Sequence, residues 1–397
     1  MPLPPGLEPQ RQSAMAHRIA WAILALFVGC SRTPDERASA KDLCDVRQIA
    51  AGAGHTCARC GLGTIVCWGG AVSPVVRIAD AQALSAGAGH DCVRRSSGEV
   101  WCWGRNERGE LGDGTTHVRH DPVRVRGVTD AVSVSVGFGH ACAHRSDGTV
   151  TCWGDNRMGQ LGDGSTSARL RAVGAKGLTD AAEVSAGFLH TCARVASGAV
   201  LCWGNNRQGQ LGDGTTTDRS TPTPVVGITD AVQVSTGMHH TCARRASGTV
   251  MCWGNNSEGQ VGDGTNLRRL SPVDVDARDA VEISAGYNHT CARGRYGSVA
   301  CWGRNVYGQL GDGTRLDRLA PTAVLALPEP VVVPSQLLGV SELSAGRDHT
   351  CAKLATGIVI CWGGNEGGAL GDGTRVTRLR PTLAVISSPL LDVEPSD

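Results

Sequence analysis

Short apolar runs of four to six residues, rich in Val, Thr and Trp, alternate along this chain with clusters of Gly, Asp, Asn and Pro, and no copy of the pattern contains a ten-residue helical apolar face. The pattern repeats. The stretch 185–215 (SAGFLHTCARVASGAVLCWGNNRQGQLGDGT) matches itself again about fifty residues on, with His190, Cys192, Gly198, Cys202, Trp203 and Gly204 kept in step. Its anchor histidine recurs as His55, His90, His140, His190, His240, His289 and His349, at spacings of 35, 50, 50, 50, 49 and 60 residues. Seven tandem units of this length mark a propeller or solenoid. In the copy around His240 the runs predict four strands, over 223–226, 231–236, 240–244 and 249–253. Pro224 suits an edge strand, because it cannot donate to a ladder. Asp230, Gly237, Ser247-Gly248 and Gly262-Asp263-Gly264 supply the turns. Four antiparallel strands repeated radially leave few exposed edges. The expectation is an all-β, seven-bladed β-propeller of four-stranded antiparallel blades over 46–385, with residues 381–385 as a closing strand.

Cysteine spacing adds a covalent element. Every copy holds Cys-x9-Cys: Cys57/Cys67, Cys92/Cys102, Cys142/Cys152, Cys192/Cys202, Cys242/Cys252, Cys291/Cys301 and Cys351/Cys361. A hairpin centred on Ser197 sets residues 192 and 202 opposite one another on one face. Opposed Cα atoms lie about 4.5–5.5 Å apart, within disulfide reach, so one disulfide per blade hairpin is expected. Buried free thiols are the other reading of these pairs. Zinc has little support, because Cys57 and Cys60 form the one Cys-x2-Cys pair and no second pair follows at finger spacing.

The chain has 397 residues, a net charge of +1, 41% hydrophobic and 19% charged residues, so nothing pulls it generally toward nucleic acid. Aromatics are 4%, and seven of nine tryptophans sit in the repeated Cys-Trp-Gly. The first thirty residues differ from the rest. Met1 to Gln12 is Pro-rich, and a start at Met15 gives a compact leader: His17-Arg18, an apolar run over 19–28, then Gly29-Cys30. That run is too short to span a bilayer and reads as a signal peptide. Its end resembles the bacterial lipobox, with Phe27 in place of the usual Leu, which implies lipidation of Cys30; ordinary secretion is the alternative. Of seventeen cysteines, setting aside Cys30 and the seven pairs leaves Cys44 and Cys60, which are expected to bridge. The organisation expected is a leader over 1–30, a polar tether over 31–45, the propeller over 46–385 and a tail over 386–397. An oxidising, extracytoplasmic setting at the cell envelope, lipid-anchored in the periplasm or on the surface, follows.

Two places break the symmetry. The first copy lacks the Asn-x-x-Gly-Gln-Leu-Gly-Asp-Gly-Thr loop, and about ten residues rich in Pro and Val are inserted within 323–340. Gly-Asp-Gly-Thr turns, with Ser165 in place of Thr once, recur at Asp113, Asp163, Asp213, Asp263, Asp312 and Asp372, without the oxygen density of a calcium loop. An arginine follows each turn at a fixed offset: Arg119, Arg169, Arg219, Arg269, Arg318 and Arg378. These six form either a cationic face for an acidic partner or local pairs with their own aspartates. The seven histidines could gather metal in a channel, but one residue per blade more simply orders each blade junction. His117, His120, His144 and His239 fall outside the register and carry no partner signal in the sequence. No nucleophile elbow, phosphate loop or His-Glu-x-x-His is present, so no enzyme and no cofactor is expected.

Gly187, His190, Ala193, Gly198, Val200, Trp203-Gly204, Asn206, Gly209-Gln210-Leu211-Gly212 and Gly214 together resemble the repeat of the regulator of chromosome condensation family. The resemblance runs over roughly 46–385 and implies a seven-bladed propeller. The family includes a guanine-nucleotide exchange factor that binds chromatin, interaction modules, and a secreted bacterial inhibitor of β-lactamases. Paired cysteines and the export signal set this chain apart from the cytosolic branch. The leading expectation is a monomeric, non-catalytic scaffold that binds a protein partner, or a glycan, at the envelope, with the membrane reached through its N-terminal lipid. The alternative, by family analogy, is exchange-factor or chromatin-binding activity.

Overall fold

A computed structural model describes residues 44–70, 75–327 and 336–386. The leader, Cys30, most of the tether, the tail beyond 386 and the centre of the insertion lie outside the described residues. The rest is a ring of seven four-stranded antiparallel sheets, each built from consecutive strands, as the repeat implies. The fifth blade comprises Ala231–Thr236, His240–Arg245, Val250–Gly254 and Arg269–Val275. The first strands of neighbouring blades touch around the axis, and that of blade 1 touches that of blade 7.

One strand assignment changes. The run at 223–226 does not open the fifth blade. It overlaps Arg219–Pro224, which pairs with Val200–Gly204 as the outer strand of the fourth. Pro224 does lie on an edge, as its missing N–H requires. The run at 381–385 overlaps Arg378–Leu383, the last strand of blade 7, which pairs with Val359–Gly363 and not with blade 1. The ring closes by side-chain contact instead. Val46, Ile49 and Ala58 pack with Cys351, Val359, Cys361 and Leu370. The Ile49 N–H donates to Glu342 Oε1 at 3.2 Å, and the Ala51 N–H to Ser344 Oγ at 2.8 Å.

The same device protects every inner strand but one from presenting a bare edge. Ser85, Ser135, Ser185, Ser235 and Ser284 each accept an N–H from the next blade's first strand, at 2.9–3.1 Å. Blade 1 has Ala50 there, and Gln48 bonds both the N–H and the carbonyl of Leu84 instead.

The seven in-blade pairs are disulfides and not free thiols: Cys57–Cys67, Cys92–Cys102, Cys142–Cys152, Cys192–Cys202, Cys242–Cys252, Cys291–Cys301 and Cys351–Cys361. Cys44 is bonded to Cys60. One detail of the geometry is corrected. Every in-blade pair has its Cα atoms 4.0–4.1 Å apart, nearer than the separation expected. The register sets Cys192 opposite Cys202, and bonds from the Val195 N–H to the Ala199 carbonyl and from the Asn205 N–H to the Leu189 carbonyl flank the pair. Residues 192 and 202 therefore hold a non-hydrogen-bonded position, where antiparallel strands come closest.

Hydrophobic cores lie between blades rather than within them. Cys192, Val200, Cys202 and Leu211 of blade 4 pack with Ala231, Val234, Ala243 and Trp253 of blade 5. Cys102, Cys152, Cys252 and Cys301 take the place of Cys202 at their own seams. All four are wholly buried, so these cysteines are core residues and offer no surface to a ligand or partner. Each blade covers its neighbour, and the ring is the smallest unit that buries every face.

Candidate functional site

The residues kept constant in every copy build the joints. His140, His190, His240, His289 and His349 each place Nε2 2.8–2.9 Å from the Thr hydroxyl that follows the next blade's histidine: Thr191, Thr241, Thr290, Thr350 and Thr56. Each of those hydroxyls donates to a loop carbonyl of the preceding blade, at Gln160, Gln210, Gln260, Gln309 or Ala369. The hydroxyl proton is thus committed, which fixes the histidine proton on Nε2. The same carbonyls accept the indole N–H of Trp203, Trp253, Trp302, Trp362 and Trp68. The glycine three residues before each histidine is required by close approach. A Cβ on Gly237 would meet His240 Cε1 at 2.3 Å and the Gly286 carbonyl oxygen at 2.5 Å. Burial drives the ring pKa values down, to about 4 at His90 and His289, to about 3 at His140, His240 and His349, and well below the ordinary value at His190. These are neutral structural groups.

Blades 1 to 3 depart from the scheme. Asp91 stands where most copies have Thr and takes His55 Nε2 at 2.8 Å. Burial opposes the charged imidazole there, yet the Asp91 carboxylate raises the His55 pKa overall. His90 faces Ala141 in the threonine position, and neither ring nitrogen finds a hydrogen bond of ordinary geometry. Among the described residues the indole N–H of Trp103 is likewise unpaired, and blade 1 lacks the Gly-Gln-Leu-Gly loop whose carbonyl receives the indole in later blades. His55, Cys57 and Asp91 bring possible metal donors together, but Cys57 is spent in its bond to Cys67.

The recurrent arginines pair locally. Asp163, Asp213, Asp263, Asp312 and Asp372 hold Arg169, Arg219, Arg269, Arg318 and Arg378 at 2.5–2.8 Å. The other carboxylate oxygen accepts from the turn Thr or Ser and from Asn156, Asn206, Asn256, Asn305 or Asn365. These bonds hold the turn carboxylates below their usual range. Five of the six cations are thereby matched. Arg119 stands 3.5 Å from Asp113, and its Nε makes no hydrogen bond.

What varies between copies is the pair of residues between the constant glycine and histidine, and this is the signal that sequence reading passed over. These pairs are Ala53-Gly54, Ala88-Gly89, Phe138-Gly139, Phe188-Leu189, Met238-His239, Tyr287-Asn288 and Arg347-Asp348, and Ala53, Ala88, Phe138, Phe188 and Tyr287 line one mouth of the central channel. Backbone bonds run round the rim, from Phe138 N–H to the Gly187 carbonyl at 3.1 Å and from Tyr287 N–H to that of Gly346 at 3.2 Å. On this frame the rings of Phe138 and Phe188 lie 4.1 Å apart, tilted by 39°, and Tyr287 and His239 meet Phe188 edge-on at 5.8 and 5.9 Å. Arg105 lies over Phe138 at 5.9 Å, and Arg347 pairs with Asp348 at 2.6 Å. A cavity of about 110 Å³ opens among them. The Tyr287 hydroxyl has no partner among the described residues, and burial pushes its pKa up to about 12.

His239 therefore has neighbours that its place outside the register did not suggest, including Gln210 Nε2 at 3.4 Å. His144 is buried in the second strand of blade 3, where burial lowers its pKa. The chain has three Phe and three Tyr, and three of these six stand at this mouth. Blades 1 and 2 offer only Ala and Gly there, so the mouth is an aromatic crescent open on one side.

Residues 71–324 match the model of the RCC1-like domain, and residues 340–369 that of the Regulator of chromosome condensation (RCC1) repeat. No curated protein matches the chain. Among solved structures, Prp20p from Saccharomyces cerevisiae, described with its binding properties to Gsp1p and histones, is similar at 22% identity and a TM-score of 0.66, over 77% of this chain and 76% of that one. Human WBSCR16 is similar at 20% identity and 0.64, over 86% and 82%. The ectodomain of the Physcomitrella patens receptor kinase CR4 is similar at 20% identity and 0.52, over 80% and 74%. Repeat, blade architecture and family models agree that the chain belongs to the RCC1-like propeller family.

Proposed function

We propose that this chain is a non-catalytic, monomeric propeller that binds a protein partner at the channel mouth, and that it does so outside the cytosol. The observation that carries the reading is the half-buried Phe138, Phe188 and Tyr287 crescent edged by Arg105 and Arg347. The recurring residues are engaged in blade joints, hairpin disulfides and turns, whereas the side chains at these positions change from copy to copy. Aromatic and arginine side chains around a small apolar notch are the composition of protein-binding hot spots, and this favours a protein over a glycan. An exported, lipid-anchored location follows from the leader and Cys30, and eight disulfides suit it.

Crosslinking in envelope fractions tests the reading. The native protein should capture one partner that F138S/F188S of equal thermal stability loses; equal capture by both excludes the mouth. The second reading draws on Prp20p, whose described binding to Gsp1p and histones makes nucleotide exchange or chromatin binding the alternative. Accelerated nucleotide release from a small GTPase by the oxidised protein would favour it.

A further inference from the structure

The arginine held most loosely by its turn aspartate, Arg119 at 3.5 Å from Asp113, marks a second site. Arg119 lies in a groove of about 540 Å³ with Arg124, Arg126, Asp113, Thr115 and Val123, at the outer edge of blade 2. Blade 3 brings a fourth guanidinium, that of Arg171, beside the groove rather than into its lining. The Gly114 N–H donates to the Leu170 carbonyl at 2.8 Å, which draws the blade 2 loop onto the blade 3 outer strand. The open side of Gly114 then faces both Arg171, whose Nε lies 3.1 Å from where a Cβ would stand, and Arg126, whose Cζ lies 3.6 Å from it.

The charges do not cancel. Arg124 is paired with Glu99 at 3.1 Å, and Asp113 is 3.5 Å from Arg119. The Asp113 carboxylate also accepts from Asn106 and from the Thr115 N–H and hydroxyl. Among the described residues, the guanidinium groups of Arg126 and Arg171 have neither an ion pair nor a hydrogen bond. Four cations against two carboxylates leave two positive charges converging on one open groove.

The repeat supplies an internal control. The position of Arg124 holds Gly174, Pro224, Asp274, Ala323 and Leu383 in the later blades, and that of Arg126 holds Lys176, Val226, Asp276, Leu325 and Val385. The position of Arg171 holds Thr221, Ser271, Ala320 and Arg380. Only the seam between blades 2 and 3 gathers all three arginines, so the fold does not need them. At the seam between blades 6 and 7 the same geometry brings Arg380 beside Gly313, but against Leu325.

We propose that this groove binds the phosphate groups of a diphosphate-class anion, with Arg119, Arg126 and Arg171 as its donors. Guanidinium forks match oxyanion geometry, the groove of about 540 Å³ is open, and Gly114 lets Arg126 and Arg171 approach one another without a Cβ between them. The site stands on the opposite edge of the blades from the channel axis, and it does not depend on the channel-mouth reading.

Titration calorimetry of the oxidised protein with inorganic pyrophosphate is the test, beside flotation with phosphatidylcholine vesicles with and without phosphatidylglycerol. Pyrophosphate should bind, more weakly as salt rises, and R126Q/R171Q should lose at least about tenfold in affinity with unchanged thermal stability. F138S/F188S should bind pyrophosphate normally, which separates this site from the mouth. Pyrophosphate binding with no arginine-dependent flotation assigns a free phosphorylated ligand; arginine-dependent binding to both assigns a lipid headgroup. No pyrophosphate binding, equal binding by R126Q/R171Q, or flotation without pyrophosphate binding overturns the proposal.

Discussion

Acidification should open this ring while its disulfides remain intact. Six joint histidines are buried with pKa values pushed down by desolvation: about 4 at His90 and His289, about 3 at His140, His240 and His349, and well below the ordinary value at His190. In the unfolded chain they titrate near the ordinary value of about 6.5. Because the folded values are depressed, their contribution is complete above about pH 6.5 and is lost as pH falls toward 4 and 3. Each proton taken up only by the unfolded chain costs about 1.4 kcal/mol per pH unit. From pH 7 to 5.5 that is roughly 1.2 kcal/mol per histidine, or about 7 kcal/mol for six, a large part of the about 5–15 kcal/mol available to a folded domain.

Groups of opposite sign temper this loss. His55, raised by Asp91, contributes stability below about pH 6.5 that is lost as pH rises through its folded value. Glu183, Glu258 and Glu282, raised by burial, gain in the same direction near the acid end of the window. Guanidinium unfolding under non-reducing conditions should give a midpoint that falls steeply between pH 7 and 5.5, and His240→Gln should flatten the slope by one proton. A midpoint independent of pH over that range, or ring protons titrating near 6.5 in the native protein, would refute the reasoning.

Four further outcomes follow from the joints and hairpins. Thr241→Val keeps shape but strands His190 Nε2, and should cost about 1–3 kcal/mol by denaturant unfolding. Ala141→Thr should stabilise by about 1 kcal/mol, because it gives His90 its missing partner and can donate to the Glu110 carbonyl, which now receives only Trp153. Gly204→Ala, at φ +105° with the Leu189 carbonyl oxygen 2.5 Å from the new Cβ, should cost on the order of 3 kcal/mol in the same assay. Replacing Cys192 and Cys202 together with Ala should cost about 3 kcal/mol and leave the other pairs oxidised on peptide mapping.

Much of this molecule was legible in its sequence because a repeat reports the same environment seven times. The period gave the blade count, and the x9 spacing gave the hairpin register, since residues 192 and 202 straddle Ser197 symmetrically. Spacing alone did not say which kind of opposed position the cysteines hold, because that depends on the ladder bonds on either side of Cys192 and Cys202. The phase of the repeat was not legible. Periodicity is unchanged by where the unit is cut, so 223–226 was assigned one blade late; only the pairing of Arg219–Pro224 with Val200–Gly204 sets the cut. Aligning copies also directs attention to what they share. His190 and Trp203 stood out and proved to be joint residues, while Phe138, Phe188 and Tyr287 sat in the varying positions. The arginine series carried its exception in the same way: the period aligned Arg119 with its five paired counterparts, and only the 3.5 Å separation from Asp113 sets it apart.

A ring laced by one disulfide in every blade is the central claim, and alkylation of the natively purified protein, unfolded in guanidinium with an iodoacetamide tag and analysed by intact mass before and after reduction, tests it most directly. None of the sixteen cysteines from Cys44 to Cys361 should take the tag until reductant is added, and all sixteen should then do so. Tagging of those cysteines in the unfolded but unreduced protein would contradict it.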